Sequence, residues 1–141
     1  MTTTNTSTAE AAAVSLRSIA DIIADLSKPI PDRLLKTKTV GGQKIRFIPW
    51  YTAVRFLDLY APGWSYEIRS VTGVADQLIV VARISIPCTE GVIYREATGI
   101  EDVQVKGYGD PASNAESMSL RRAASKFGLG LHLYDAKKDG R

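Results

Sequence analysis

Between Trp64 and Ile100 three apolar, β-branched runs follow one another with only short connections between them. Trp64, Tyr66 and Ile68 alternate with Ser65, Glu67 and Arg69, the period-two pattern of a half-buried strand. Leu78 to Ile86 alternates less cleanly, as a central strand does. Val92 to Ile100 follows the turn-forming segment Pro87-Cys88-Thr89-Glu90-Gly91. Parallel pairing needs a crossover of about a dozen residues or more, and neither connection offers one. The three runs are therefore constrained to an antiparallel meander, and one face of that sheet needs a cover.

A long helix follows the strands. Asp110 can cap its first turn, and Pro111 suits the first position, where a missing N–H costs nothing. Gly128 and Gly130 supply the left-handed residues that close helices. Leu120, Ala123, Ala124, Phe127 and Leu131 form one apolar stripe at helical spacing. Arg121, Arg122, Ser125 and Lys126 fall on the opposite arc, which predicts a solvent-facing surface with three cations and no interleaved acid. Phosphate binding is one use for such a face, and a merely solvated surface is the other.

Upstream, residues 1–7 are Thr-rich and lack core formers, so they are expected to be a disordered tail. Ser7 and Glu10 make a candidate capping box for a helix from Thr8 to Ser27, with Leu16, Ile19, Ile23 and Leu26 on its apolar stripe. Pro29 and Pro31 end it. A basic connector, Lys36 to Lys44, contains Gly41-Gly42 as a tight turn and leads into a short strand at Ile45 to Ile48. Trp50, Ala53, Val54, Leu57 and Tyr60 form a second helical stripe, with Arg55 on its polar side. The fold class is thus α+β: an antiparallel meander of three to four strands packed with a long helix and preceded by N-terminal helices. One domain is expected over residues 8–134, with a flexible tail at 135–141.

Catalytic chemistry has little to work with. Cys88 and His132 are the only residues of their types, the first in a predicted turn and the second in an apolar tail segment. There is no metal-ligand cluster, phosphate loop or dinucleotide fingerprint. Glu101 and Asp102 are adjacent strand residues and point to opposite faces. The expectation is a protein without enzymatic activity, cofactor, metal or small-molecule substrate. A lone cysteine forms no internal disulfide, and no secretory signal or bilayer-spanning run is seen, so a reducing, intracellular location is expected, cytoplasmic for a bacterial or phage source, with no membrane partner.

Charge is modest in total, at +3, but segregated. Lys28, Arg33, Lys36, Lys38, Lys44, Arg46 and Arg55 stand against the single acid Asp32, whereas the stretch from Glu90 to Glu116 is mostly acidic. A row of cations with aromatics nearby is what a single nucleic-acid strand requires. Lys36, Lys38, Lys44, Arg46 and Arg55, with Tyr51 and Tyr60, are the candidates beside Arg121, Arg122 and Lys126; Trp50 is expected in the core.

Gly41-Gly-Gln-Lys-Ile-Arg-Phe-Ile48, then Pro62-Gly-Trp64 opening a strand, then Leu120-Arg-Arg-Ala-Ala-Ser-Lys-Phe-Gly128, resemble the annealing domain of the Rad fifty-two recombination proteins in order and spacing. The Tyr108-Gly-Asp-Pro segment resembles their bacterial, phage and DdrA-like branch. The resemblance implies a strand-strand-strand-helix core that assembles into rings or arcs, with single-stranded DNA in a continuous basic groove and its bases presented for pairing. It places the family's paired basic contacts on Arg121 and Arg122. Lys126 lies one residue from a further basic position of the motif, where this chain has Ser125, and Arg55 and Tyr60 match contacts on the second helix. The implied function is ATP-independent annealing of single strands in homologous recombination or break repair. Protection of DNA ends without annealing and a purely structural oligomer are the alternatives, and duplex DNA is a further possible partner. The N-terminal stripe and the sheet edges are the expected subunit contacts.

Overall fold

The computed structural model describes residues 15–104 and 110–134. The Ser7–Glu10 capping box, the two tails, Lys106 and Tyr108 lie outside the described residues. Three strands, β3 (Ser65–Val74), β4 (Gln77–Cys88) and β5 (Gly91–Asp102), form the antiparallel meander in the order β3-β4-β5. They follow a separate two-stranded hairpin of β1 (Lys36–Val40) and β2 (Gln43–Phe47). The helices are α1 (Ile19–Leu26), α2 (Trp50–Tyr60) and α3 (Pro111–Ser125), with a short 3-10 turn at Asp32–Leu34 and a further helical segment at 131–134. The α+β class and the meander with its long helix are as the sequence predicts.

The strands run longer than their apolar patterns. Pro87 and Cys88 belong to β4, paired with Val92 and Gly91, and the turn narrows to Thr89-Glu90. Proline is tolerated there because β3 begins opposite Ser85, leaving Pro87 with a partner on one side only. Burial along β4 alternates clearly: Val80, Ala82, Ile84, Ile86 and Cys88 are buried, and their neighbours are half-exposed. The sheet thus has one covered face, and α3 covers it.

At the opposite turn Ala75 has φ of 54°, a left-handed conformation that costs an L-residue with a side chain about 1–2 kcal/mol. Ala75→Gly should therefore stabilise the domain, by roughly 0.5–1 kcal/mol after the added freedom of the unfolded chain is subtracted. A thermal melt that shows a lower midpoint for this variant would contradict the strain.

Helix α3 starts and stops as its sequence dictates. The Asp110 carboxylate accepts the Ser113 N–H at 2.7 Å, and Pro111 is the first helical residue. At the far end Gly128 has φ of 106°, and the Leu129 N–H reaches back to the Ala124 carbonyl at 3.2 Å. Ala115, Ser119, Leu120, Ala123 and Ala124 are buried. The small residues allow a close approach: a Cβ built on Gly99 of β5 would lie 2.7 Å from the Ser119 nitrogen and 2.9 Å from the Ala115 carbonyl carbon. Phe127, Leu57, Ile84, Ile86, Ile22 and Leu129 form the centre of the core.

Four expectations are corrected. The helix expected from Thr8 to Ser27 is not continuous: residues 15–18 are not helical, α1 begins at Ile19 with the Ser18 hydroxyl accepting the Asp21 N–H, and residues 8–14 lie outside the described residues. Leu16 consequently lies outside the helix and is 42% exposed, while Ile22 and Leu26 supply the buried contacts. Leu131 is 47% exposed, since the helix has ended before it and Leu129 takes the core position. Trp50 is 51% exposed; it sits at the first helical position, and its ring meets Tyr51 edge-on rather than the core. The basic connector is itself a strand: Lys36 to Val40 pairs with Gln43 to Phe47 across Gly41 and Gly42, whose φ values of 58° and 81° fit a tight hairpin turn.

Candidate nucleic-acid interface

The hairpin and α3 face each other across a cavity of about 370 Å³. Cross-strand pairing puts Lys36, Lys38, Val40, Ile45 and Phe47 on one face of the hairpin, and Lys44 and Arg46 on the other. Lys38, Arg46, Arg121 and Arg122 line the cavity, and among the described residues no carboxylate does. These are four of the ten residues singled out from the sequence, drawn from elements far apart in the chain.

The paired arginines of α3 do not share one environment. Arg121 is not on the solvent arc: it is half-buried, its Nε donates to the Ser117 carbonyl at 3.2 Å, and its guanidinium lies 5.0 Å from the centre of the Phe47 ring. Burial pulls its pKa below the usual guanidinium value. Lys38 Nζ approaches the same ring at 5.1 Å, so Phe47 joins cations from hairpin and helix. Ser125, placed on the polar arc by helical spacing, is buried, with its hydroxyl donating to the Arg122 carbonyl at 2.7 Å. For Arg121 the reason is the hairpin, whose Phe47 reaches further around α3 than a single apolar stripe indicates.

Arg122 is exposed and donates from Nη1 to the Thr98 carbonyl at 3.2 Å. Lys126 is also exposed, its Nζ donates to the Glu96 carbonyl at 2.7 Å, and it is not among the residues that line the cavity. Neither arginine has a carboxylate partner among the described residues. Arg46 differs, because its guanidinium pairs with Asp32 and ties the hairpin to the 3-10 turn.

Several candidates stand away from the cavity. Lys44 is exposed on the hairpin's other face, and Arg55 and Tyr51 are exposed on α2. Tyr60 is half-buried, stacked on Phe56 with ring centres 6.2 Å apart, and lines a second cavity of about 340 Å³ with Lys28 and Arg33. Phe47, which the sequence sets beside the basic residues without giving it a role, is the aromatic that lines the cavity. Phe47 alternates with Lys44 and Arg46 in a short strand, a signal too brief to show which face turns inward.

Cys88 and His132 do not form a reactive pair. The buried Cys88 thiol donates to the Gly91 carbonyl at 3.0 Å, and burial pushes its pKa up. His132 Nε2 accepts the Ile30 N–H at 3.4 Å. Among the described residues no group of three or more His, Cys, Asp or Glu side chains could hold a metal ion, and no helix is long and apolar enough to cross a membrane.

No protein-family model matches the chain. It is 43% identical over 120 residues to DNA repair RAD52-like protein 1, mitochondrial, of Arabidopsis thaliana, a match covering 84% of this chain and 68% of that protein. It is 38% identical over 122 residues to DNA repair RAD52-like protein 2, chloroplastic, of the same plant, covering 84% of this chain and 61% of that protein. Both relatives are plant proteins named for organelles, so they bear on the family and not on a bacterial, phage or DdrA-like branch, nor on a cytoplasmic location. With sequence identity at this level over most of its length, the chain belongs to the RAD52-like family of DNA repair proteins.

Proposed function

We propose that this protein binds single-stranded DNA in the groove between hairpin and α3 and anneals complementary strands during homologous recombination or break repair, without ATP. The observation that carries the reading is the meeting of Lys38, Arg121 and Arg122 at that groove, with no carboxylate among its described lining residues. A polyphosphate chain neutralises such a surface and gains affinity from released counterions. Annealing then needs no catalytic group: holding a strand extended with its charge screened lowers the barrier to pairing, and base pairing supplies the driving force. Assembly into a ring or arc belongs to the same reading. It is supported by the outer edge of β3, which pairs with no other strand among the described residues, and by the exposed apolar residues Val71, Val74 and Val92 on β3 and β5.

The test is binding and strand annealing as a function of salt. Affinity should fall with a logarithmic slope of about −0.7 per phosphate neutralised, and complementary oligonucleotides should pair faster with the protein than alone. Salt-independent binding would remove the groove from the mechanism. Binding with normal salt dependence but no acceleration would reduce the function to coating a strand.

A further inference from the structure

The two outer edges of the meander are not alike. That of β3 pairs with no other strand among the described residues, and Val71 and Val74 on it are exposed. Such an edge is a template for an added strand. The outer edge of β5 also lacks a strand, but side chains of α3 reach around to occupy it. Lys126 Nζ donates to the Glu96 carbonyl at 2.7 Å, Arg122 Nη1 donates to the Thr98 carbonyl at 3.2 Å, and the Ile100 N–H donates to Met118 Sδ at 3.4 Å. Alternate residues of an edge strand turn their backbone groups away from the sheet, and Glu96, Thr98 and Ile100 are such a set.

Helix and strand are matched in pitch. Met118, Arg122 and Lys126 stand four residues apart, a step of about 6 Å along a helix. Two residues of strand advance about 6.8 Å. One row of α3 side chains therefore keeps register with three successive outward groups of β5. An incoming strand would need those same groups for its own ladder, so it must first displace the row. We infer that Met118, Arg122 and Lys126 guard β5 against addition of β3 from a second copy of this chain. A second copy is the relevant intruder because every copy carries an open β3 edge, at the same concentration as the β5 edge it would meet. Pairing β3 on β5 is head-to-tail. Each copy added leaves a free edge for the next, and a rotation that does not close yields an open fibre. With β5 occupied by its own helix, contacts between copies are confined to other surfaces. Arg122 and Lys126 thus have a role that requires no nucleic acid.

The experiment uses the full chain without DNA, so its outcome is separate from that of the groove reading. Arg122→Ala combined with Lys126→Ala removes two of the three caps, and both side chains are exposed, so the fold should survive. Light scattering should show the wild type's discrete mass lost and replaced by species that grow with time and concentration. Lys44→Ala combined with Arg55→Ala removes the same charge from exposed positions away from β5 and should keep the wild-type mass. Ile100→Pro, added to the guard variant, takes away an outward N–H, which an edge strand tolerates and a pairing strand does not. That triple variant, with folding checked by thermal melting, should regain a discrete mass. A guard variant of wild-type mass overturns the inference. Equal growth of the Lys44 and Arg55 variant also overturns it, by making net charge the cause. Growth that a folded proline variant does not stop overturns it as well, and if that variant does not fold the first two comparisons still decide.

Discussion

Gly99→Ala should abolish cooperative folding. The added methyl would sit 2.7 Å from the Ser119 nitrogen and 2.9 Å from the Ala115 carbonyl carbon, both backbone atoms of α3. A clash with a flexible side chain relaxes by rotation, but backbone in a packed helix can yield only by moving the helix. Moving α3 off β5 would uncover Ala97 and Ala123 and separate Leu120 from the core they share. Ordinary overpacking costs about 1–3 kcal/mol, and an overlap that displaces a helix should exceed about 4 kcal/mol, a large share of a small domain's stability. Thermal melting and near-ultraviolet circular dichroism would check this. A variant that melts within a few degrees of wild type would show that the helix does not approach β5 this closely.

The largest functional effect should come from replacing Arg121 and Arg122 together with Ala. Charge-assisted hydrogen bonds contribute about 1.5–3 kcal/mol each, so losing two should weaken single-stranded DNA binding a hundredfold or more. The single variants should separate in a way the sequence alone does not indicate. Arg122 is exposed, so Arg122→Ala should change stability by no more than about 0.5 kcal/mol. Arg121→Ala should also lower the melting temperature, because it removes the guanidinium from Phe47 and loosens the hairpin, at a cost of roughly 0.5–2 kcal/mol. Titration of a labelled strand alongside thermal melts resolves the two effects. Wild-type affinity in the double variant would show that this helix face contacts protein and not DNA.

The parts of the fold that were legible in the sequence are those with strong local signals. The meander follows from connections too short for any other pairing, and α3 from Asp110, Pro111 and Gly128 at its ends. The hairpin was hidden because Lys36-Thr-Lys-Thr-Val40 is exposed along its whole length and carries no apolar alternation to mark a strand. Trp50 and Leu131 fit an apolar stripe by spacing, yet spacing cannot tell where the core beneath the stripe ends. The site was half legible for a similar reason. Arg121 and Arg122 stand out as adjacent cations, but the contact that buries Arg121 comes from Phe47, a residue in another element and remote in sequence. Lys44, Arg55 and Tyr60 carry the right chemistry and lie elsewhere, because composition reports charge without position.

The hairpin is attached lightly. Within it only Ile45 and Phe47 are even partly buried, and the Arg46–Asp32 pair and the Phe47–Arg121 contact are among its ties to the body. An opening that breaks these ties leaves the β4 core intact, so the hairpin belongs to the low-stability end of the molecule. Its amides should exchange with deuterium well before those of Val80 and Ala82, whose release requires the meander to come apart. On the proposed function, opening of this wall would let a strand enter the groove from the side instead of being threaded from an end. A circular single strand, which has no end, should load as readily as a linear one.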